Sequence, residues 1–456
     1  MKTSILVFLT FVFLSASAQN LYPTLHDQSG GITDGYGSWG EYNTTKEANV
    51  VVPDKGTITF YHPDIAATQL GTIFFISGWG REAVTYEAFF YFMASQGYAV
   101  VNIYNTNPGA INESYQNSVD MMLESANNLY SNWIDTTKIG LMGHSYGAGS
   151  TIWIGNEIFG TDYNWGSSGR FIFMTAPWLS FLMDKDALQN YPDDVKLLIE
   201  ISDDDFSTNA EYTWNTDERA IRAVYELINI PNDEKDFVRV LSNPTTFKYQ
   251  GVTYAYDASH YVSYTGAESG GVLRTYDAMD VYAVNRLSHA LIDYVFEGNT
   301  SAKEVALGNG STSQIDMGNL TDLFVTDTPI VTRPENEFLY RCSETTAWGD
   351  PAIWKLQDYC NDTDNDGVID YLGTTSLTQP YFTLYPVPTS SLLNIRFVAG
   401  FERIESLEIK DNLGRIIKQV KLPNSYSIDT SELTIGTYFI TIRTAKHSST
   451  QKIIIK

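Results

Sequence analysis

The sequence predicts a three-layer α/β sandwich with a mostly parallel sheet, followed by a small all-β domain. Apolar runs of strand length alternate with stretches whose apolar residues recur every three or four positions, the pattern of parallel strands joined by helices. Several strands, such as Gly71-Thr72-Ile73-Phe74-Phe75-Ile76, are apolar without alternation, so both of their faces should be covered. The whole chain carries a formal net charge of −25, yet residues 381–456 hold ten Lys/Arg against six Asp/Glu. A charge break of that size sets a tail domain apart from what precedes it.

Taken in order, the chain starts with Met1-Lys2-Thr3, an apolar run over 5–14, and Ala16-Ser17-Ala18. One early positive charge, a short apolar run and a small-residue cleavage site predict a secretory signal peptide over 1–18. The run falls short of the about 20 residues that span a bilayer, and no other stretch is apolar enough, so no transmembrane segment is expected in the mature chain. Residues 19–45 read as an irregular lead-in. Strands follow at 49–52, 57–61 and 71–76, the last ending in Ser77-Gly78-Trp79-Gly80. A helix has Tyr86, Phe89, Phe90 and Met93 on one face and stops at Gly97. After a strand at 99–104 comes a helix with the stripe Val119, Met122, Leu123, Ala126, Leu129, Tyr130 and Trp133. Further strands are expected at 138–142, 171–174, 195–201 and 237–241, and a last helix carries Val284, Leu287, Leu291 and Tyr294 up to Gly298. The large domain therefore spans 19–300. Residues 301–378 begin with a Gly/Ser/Thr/Asn/Asp-rich stretch and read as a linker, and 379–456 as short strands broken by turns.

At 456 residues, with 30 Tyr, 23 Phe and 9 Trp, the chain can build a large folded core. The strong negative charge argues against a nucleic-acid partner. The two cysteines, Cys342 and Cys360, are expected to form a disulfide in an exported protein; no histidine lies near either for thiol catalysis. The run Asp362-x-Asp364-x-Asp366-Gly367-x-x-Asp370 puts oxygens at alternating positions around a turn. It reads either as a calcium loop or as a solvated acidic linker.

The chemistry centres on Gly143-His144-Ser145-Tyr146-Gly147, which follows a strand and precedes a helix. A serine on a sharp strand-to-helix turn presents its hydroxyl, and flanking glycines let strand and helix approach. A hydroxyl needs a base. Downstream stand His260, His289 and His447; His289 lies inside the last helix and His447 in the tail, whereas His260 follows the last strand in Tyr256-Asp257-Ala258-Ser259-His260. The acid is sought in Ser202-Asp203-Asp204-Asp205, where Asp205 is favoured and Asp204 is the reserve. Two backbone N–H donors for an oxyanion are assigned to Tyr146 and to Trp79.

On these segments, together with Ala176-Pro177-Trp178, residues of about 48–298 resemble the α/β-hydrolase superfamily. The likeness is to the secreted cutinase, lipase and polyester-hydrolase branch and to the dienelactone-hydrolase-like branch. The resemblance implies acyl transfer with Ser145 as nucleophile, His260 as base and Asp205 as its orienting acid, with no cofactor. It also implies an aromatic cleft wall at Trp178, beside Trp79. Ser77-Gly78 replaces the His-Gly or Pro-Gly common in the family, and 243–257 stands as an insertion expected to form a flap. The Asp-rich run resembles one thrombospondin type 3 calcium loop, in which Asp362, Asp364, Asp366 and Asp370 would be ligands. The tail resembles the C-terminal sorting domain of the type IX secretion system in Leu384-Tyr385-Pro386-Val387-Pro388, Asp411-Asn412-Leu413-Gly414-Arg415, 433–438 and the ending Lys452-Ile453-Ile454-Ile455-Lys456. A carbohydrate-binding or adhesion β module is the alternative for the tail. The resulting expectation is a serine esterase, secreted or attached to the cell surface, whose partners are an ester substrate and the type IX machinery. A serine peptidase of the same fold and a non-catalytic surface or adhesion protein are the other readings.

Overall fold

A computed structural model describes residues 25, 30–104, 110–160, 162–202, 205, 221, 224, 225, 227–260, 275–325, 382–385, 389, 392–397, 406–410, 415–421, 427–443 and 448–456. The expected signal peptide, Cys342, Cys360, the Asp362–Asp370 run and His447 lie outside the described residues. The chain divides into two compact units, Met1–Asp327 and Thr328–Lys456.

The first unit is built on a mixed sheet of nine strands among the described residues. They are β1 (Thr44–Val52), β2 (Gly56–Pro63), β3 (Leu70–Ile76), β4 (Ala99–Ile103), β5 (Ile134–His144), β6 (Gly169–Thr175), β7 (Lys196–Ser202), β8 (Lys235–Val240) and β11 (Phe324–Val325). Their order is β1-β2-β4-β3-β5-β6-β7-β8-β11. Neighbours from β4 to β8 pair in parallel, while β1, β2 and β11 enter antiparallel at the margins. The β3 register puts Ile73 and Phe75 into one apolar cluster and leaves Phe74 for the opposite face, where it stacks on Trp165. Burial on both faces is why β3 has no polar alternation.

Helices cover the sheet. They are α1 (Glu87–Ser95), α2 (Ile111–Glu124), α3 (Tyr146–Phe159), α4 (Lys185–Gln189) and α5 (Arg286–Phe296). Phe89, Phe90 and Met93 of α1 join Leu287 and Leu291 of α5 in the cluster over Phe75, Met142, Phe173 and Leu198. Fully burying each such side chain contributes about 1.5–3 kcal/mol. The expected stripe from Val119 to Trp133 holds only in part. A π-helical turn, Ser125–Leu129, follows α2. Its extra residue per turn shifts the phase, so Ala126 stays buried but Leu129 turns outward.

One other expectation is corrected. The linker does not begin at 301. Helices α6 (Thr300–Ala306) and α7 (Thr312–Ile315) and strand β11 belong to the first unit, with Ala306, Leu307, Met317 and Leu323 in its core. Caps explain how a polar stretch makes helices: Asn299 accepts from Ser301 N and Ser311 from Gln314 N. The insertion at 243–257 is a hairpin, β9 (Asn243–Tyr249) and β10 (Val252–Tyr256), turning on Gln250 and Gly251, both at positive φ. Phe247 and Tyr256 pack into the main cluster, so the hairpin is fastened to the core along one side.

In the second unit, β12 (Phe382–Tyr385), β13 (Leu392–Phe397) and β16 (Ser427–Asp429) form one antiparallel sheet. Strands β14 (Ser406–Lys410), β15 (Ile416–Lys421), β17 (Gly436–Arg443) and β18 (Ser448–Ile455) form another, in the order β15-β14-β17-β18. Leu393 and Ile428 of the first sheet share one cluster with Leu407, Ile409, Ile440, Ile442, Ile453 and Ile455 of the second. Period-two alternation aims these side chains inward; Ile454, between two of them, points out.

Several buried positions are charged by sequence, and Glu200 is the most enclosed of them. Glu200 on β7 is fully buried, and neither carboxyl oxygen has a hydrogen-bond partner among the described residues. Burial pushes its pKa up to about 8. Asp280, also buried, is held well above the ordinary carboxylate range by burial first and then by Asp277, with Glu200 adding to the effect. A carboxyl whose folded pKa is raised stabilises the fold most at a pH below its unfolded value. That stabilisation drains as pH rises through the folded value. Thermal unfolding of the wild type should therefore lose ground to Glu200→Gln between pH 4.5 and about 8, with the variant ahead at the alkaline end. Parallel melting curves for the two proteins across that range would contradict the buried, protonated assignment.

Candidate active site

The β5–α3 turn starts from a steric demand. A Cβ on Gly147 would lie 2.0 Å from the Ile76 carbonyl oxygen, and one on Gly143 would lie 2.7 Å from the Ala148 nitrogen. Strand and helix thus meet closer than any side chain permits, and Ser145 between them is bent to φ 55, ψ −122. Such a conformation in a non-glycine residue costs about 1–3 kcal/mol and persists only where surroundings enforce it. Here the Ser145 N–H donates to Thr175 O at 3.1 Å, and Ser145 O accepts from Gly149 N at 3.0 Å and Trp178 N at 2.9 Å.

Residues from the ends of three strands converge on this serine. His260 Nε2 stands 2.9 Å from Ser145 Oγ, and His260 Nδ1 stands 2.9 Å from Asp205 Oδ2. Asp205 sits one turn beyond β7, its N–H donating to Ser202 O at 3.2 Å. Its side chain is 2% exposed, against 18% for His260, so the carboxylate is inside and the imidazole at the opening. His260 is delivered by the hairpin. Across its neck the Ala258 N–H donates to Ser242 Oγ at 2.8 Å, which returns the chain to the end of β8.

The structure thus brings Ser145, Asp205 and His260 together; Asp204 and Asp203 lie outside the described residues. Chemically, Ser145 O–H can donate to Nε2 while Nδ1–H donates to the carboxylate, the arrangement that makes a serine oxygen nucleophilic. His289 is elsewhere: it packs edge-on to Tyr36 and Phe92 in α5, with its pKa lowered by burial.

Tyr146 opens α3, so its N–H has no acceptor within the helix. Its ring is fully buried, 6.4 Å from Trp79, 6.0 Å from Trp178 and 5.7 Å from Tyr115. Trp79 and Trp178 lie in front of it, with ring centres 6.2 Å apart and planes inclined by 30°. Trp79 is exposed and Trp178 half-buried, so these two rings, backed by Tyr146, form an apolar surface beside Ser145. Ala176, at φ 41, bends the chain after β6, and beyond it the Trp178 N–H donates to Ser145 O at 2.9 Å.

Sequence reasoning passed over His144 and Tyr86. His144 is fully buried on β5; its Nε2 is 2.7 Å from His260 O and its Nδ1 is 3.0 Å from Tyr86 Oη. The Gly78 N–H donates to that same Tyr86 oxygen at 3.1 Å. Burial, and secondarily the nearby His260, holds the His144 pKa well below the ordinary imidazole value. The only signal in the sequence was its place inside the glycine–serine pentapeptide. Among the described residues no group of three or more His, Cys, Asp or Glu could hold a metal ion.

Residues 383–456 match the family described as the secretion system C-terminal sorting domain. No curated protein matches the chain. The tail is a type IX sorting domain, which marks the protein for secretion and cell-surface attachment and implies contact with the type IX machinery. No described helix is long and apolar enough to cross a membrane.

The close approach of α3 to β3 generates a stability test. Gly147→Ala should lower the melting temperature by roughly 5–10 °C, corresponding to about 2–3 kcal/mol of overpacking. Unchanged melting would mean that the strand–helix contact is looser than described.

Proposed function

We propose that this exported chain is a serine hydrolase of α/β-hydrolase fold that cleaves carboxylic esters through an acyl-enzyme. The observation that carries the reading is His260 bridging Ser145 and Asp205 at 2.9 Å on either side, from positions 115 and 55 residues apart. The chain order serine, acid, histidine is the order of that superfamily. The strand sequence β1-β2-β4-β3-β5-β6-β7-β8 with β2 antiparallel, and a nucleophile between β5 and α3, supports the same fold.

In this reading Ser145 Oγ attacks the ester carbonyl as His260 takes its proton. The N–H groups of Tyr146 and Trp79 receive the oxyanion. His260 then protonates the leaving alcohol, and water repeats the sequence to free the acid. Asp205 holds Nδ1–H and offsets the imidazolium charge. No cofactor enters. The Trp79 and Trp178 rings favour a flat or greasy acyl group, because a polar one would give up hydration against them without a hydrogen bond in return.

The proposal extends to the remaining segments: a signal peptide over 1–18, a Cys342–Cys360 disulfide, and calcium as the candidate ion at Asp362, Asp364, Asp366 and Asp370.

A fluorophosphonate probe should label the wild type at Ser145. Ser145→Ala should lower turnover of a short p-nitrophenyl ester by about a millionfold. Asp205→Asn, which leaves the histidine in the wrong tautomer, should lower it by about 10⁴. Turnover that persists in Ser145→Ala, or a wild type that the probe does not label, removes the esterase reading in favour of a binding protein.

A further inference from the structure

We propose that His144 is a positioning residue: a neutral strut that ties the backbone of the base, His260, to the Gly78 amide in the loop carrying the second oxyanion donor. The inference rests on the hydrolase reading and adds to it a member outside the three reacting side chains.

The bonding directions follow from what each end can do. The His260 carbonyl oxygen can only accept, so His144 Nε2, 2.7 Å away, must carry a proton. The imidazole is buried, and the charges of His260 and Arg81 further disfavour a second proton. The bond to the His260 carbonyl works the other way and is outweighed, and the remaining titratable neighbour, Tyr86, meets Nδ1 through its hydroxyl. Nδ1 is therefore bare and accepts from the Tyr86 hydroxyl at 3.0 Å. The Gly78 N–H can only donate, and it donates to the Tyr86 oxygen at 3.1 Å. The chain runs one way: Gly78 N–H to Tyr86 O–H to His144 Nδ1, then Nε2–H to His260 O.

Each bond in such a chain polarises the next. Steric facts agree. A Cβ on Gly78 would meet His144 Nδ1 at 2.9 Å and Tyr86 Oη at 3.0 Å, so residue 78 must be glycine for the chain to close. Ser77 on the same loop is held by Asn102 Nδ2, which donates to Ser77 Oγ at 2.8 Å. The two parts of the site that come from distant segments, the base after β8 and the loop after β3, are thus fastened through a side chain adjacent to the nucleophile. The ring of His144 also lies 4.7 Å from that of His260, which limits how far the base can tilt.

A strut of this kind acts on orientation, and misplacing a reacting group by an ångström costs on the order of 10²-fold in rate. Tyr86→Phe and His144→Phe should each lower kcat by about 10- to 100-fold, with KM within about twofold. The double variant should be no worse than the poorer single one, because both break the same chain. His144→Gln, which can still donate to the carbonyl, should recover most of the loss. Nitrogen-15 spectra of histidine-labelled protein, with the His144 resonances assigned by their loss in His144→Phe, read the strut without turnover. The ring should stay neutral, with its proton on Nε2, at pH values where a free imidazole has taken up its second proton.

Unchanged kcat, losses that multiply in the double variant, or a His144 that titrates like a free imidazole would each overturn the proposal. A wild type that neither labels nor turns over ester defeats the hydrolase reading separately. The nitrogen spectra still decide whether the strut exists.

Discussion

The contact between the start of α3 and the end of β3 is the constraint on which the rest of the first unit turns. With Gly147 set against the Ile76 carbonyl, the helix has no freedom to back away, and the turn before it must take the one sharp path available. That path puts Ser145 at positive φ with its oxygen outward. The strain is offset by hydrogen bonds from two sides: β6 accepts through Thr175 O, and the segment after β6 donates through Trp178 N. A serine in a relaxed loop could point anywhere. This one is aimed by its backbone, and its hydroxyl meets His260 Nε2 at 2.9 Å.

Polarity is concentrated along one end of the sheet. His144, Thr175 and Glu200 lie in register across β5, β6 and β7, beyond the apolar middles of those strands. Thr175 is satisfied by the Gly143 carbonyl at 2.9 Å, and His144 by Tyr86 and His260. Glu200 answers burial differently, by keeping its proton. Buried carboxylates are expensive in proportion to their charge, so neutralisation is the cheaper state. The row lies directly behind the candidate site, where the parallel strands present their carboxyl ends and loops from several strands can meet.

The β9–β10 hairpin, whose position suggested a flap, is pinned by Phe247 and Tyr256 and sets the exit point of the segment bearing His260. The helices after 300 close the first unit at β11 and carry buried residues of their own. The second unit has an independent core drawn from two antiparallel sheets. Its export role as a sorting domain therefore stands apart from any chemistry upstream, and neither reading leans on the other.

Much of this was legible in order along the chain. Continuous apolar runs mark β3, β5, β6 and β7, because strands buried on both faces leave no room for alternation. Gly143-His144-Ser145-Tyr146-Gly147 marks the nucleophile turn, because only glycine tolerates the approach on either side. The tail shows itself by its reversed charge and its period-two strands. Less was legible where phase or distance intervenes. The π turn after α2 moved Leu129 off its stripe, and capped short helices hid in a polar stretch that read as linker.

Local sequence determined each element and the residue types fit for chemistry, since those depend on neighbours within a few positions. Only the tertiary structure decided that Asp205 meets His260, that the Tyr146 ring is buried while Trp79 is exposed, and that His144 reaches the His260 carbonyl. Those contacts join segments up to 116 residues apart. Nothing in a linear pattern encodes them, because they exist only once the sheet has set the distance between its strand ends.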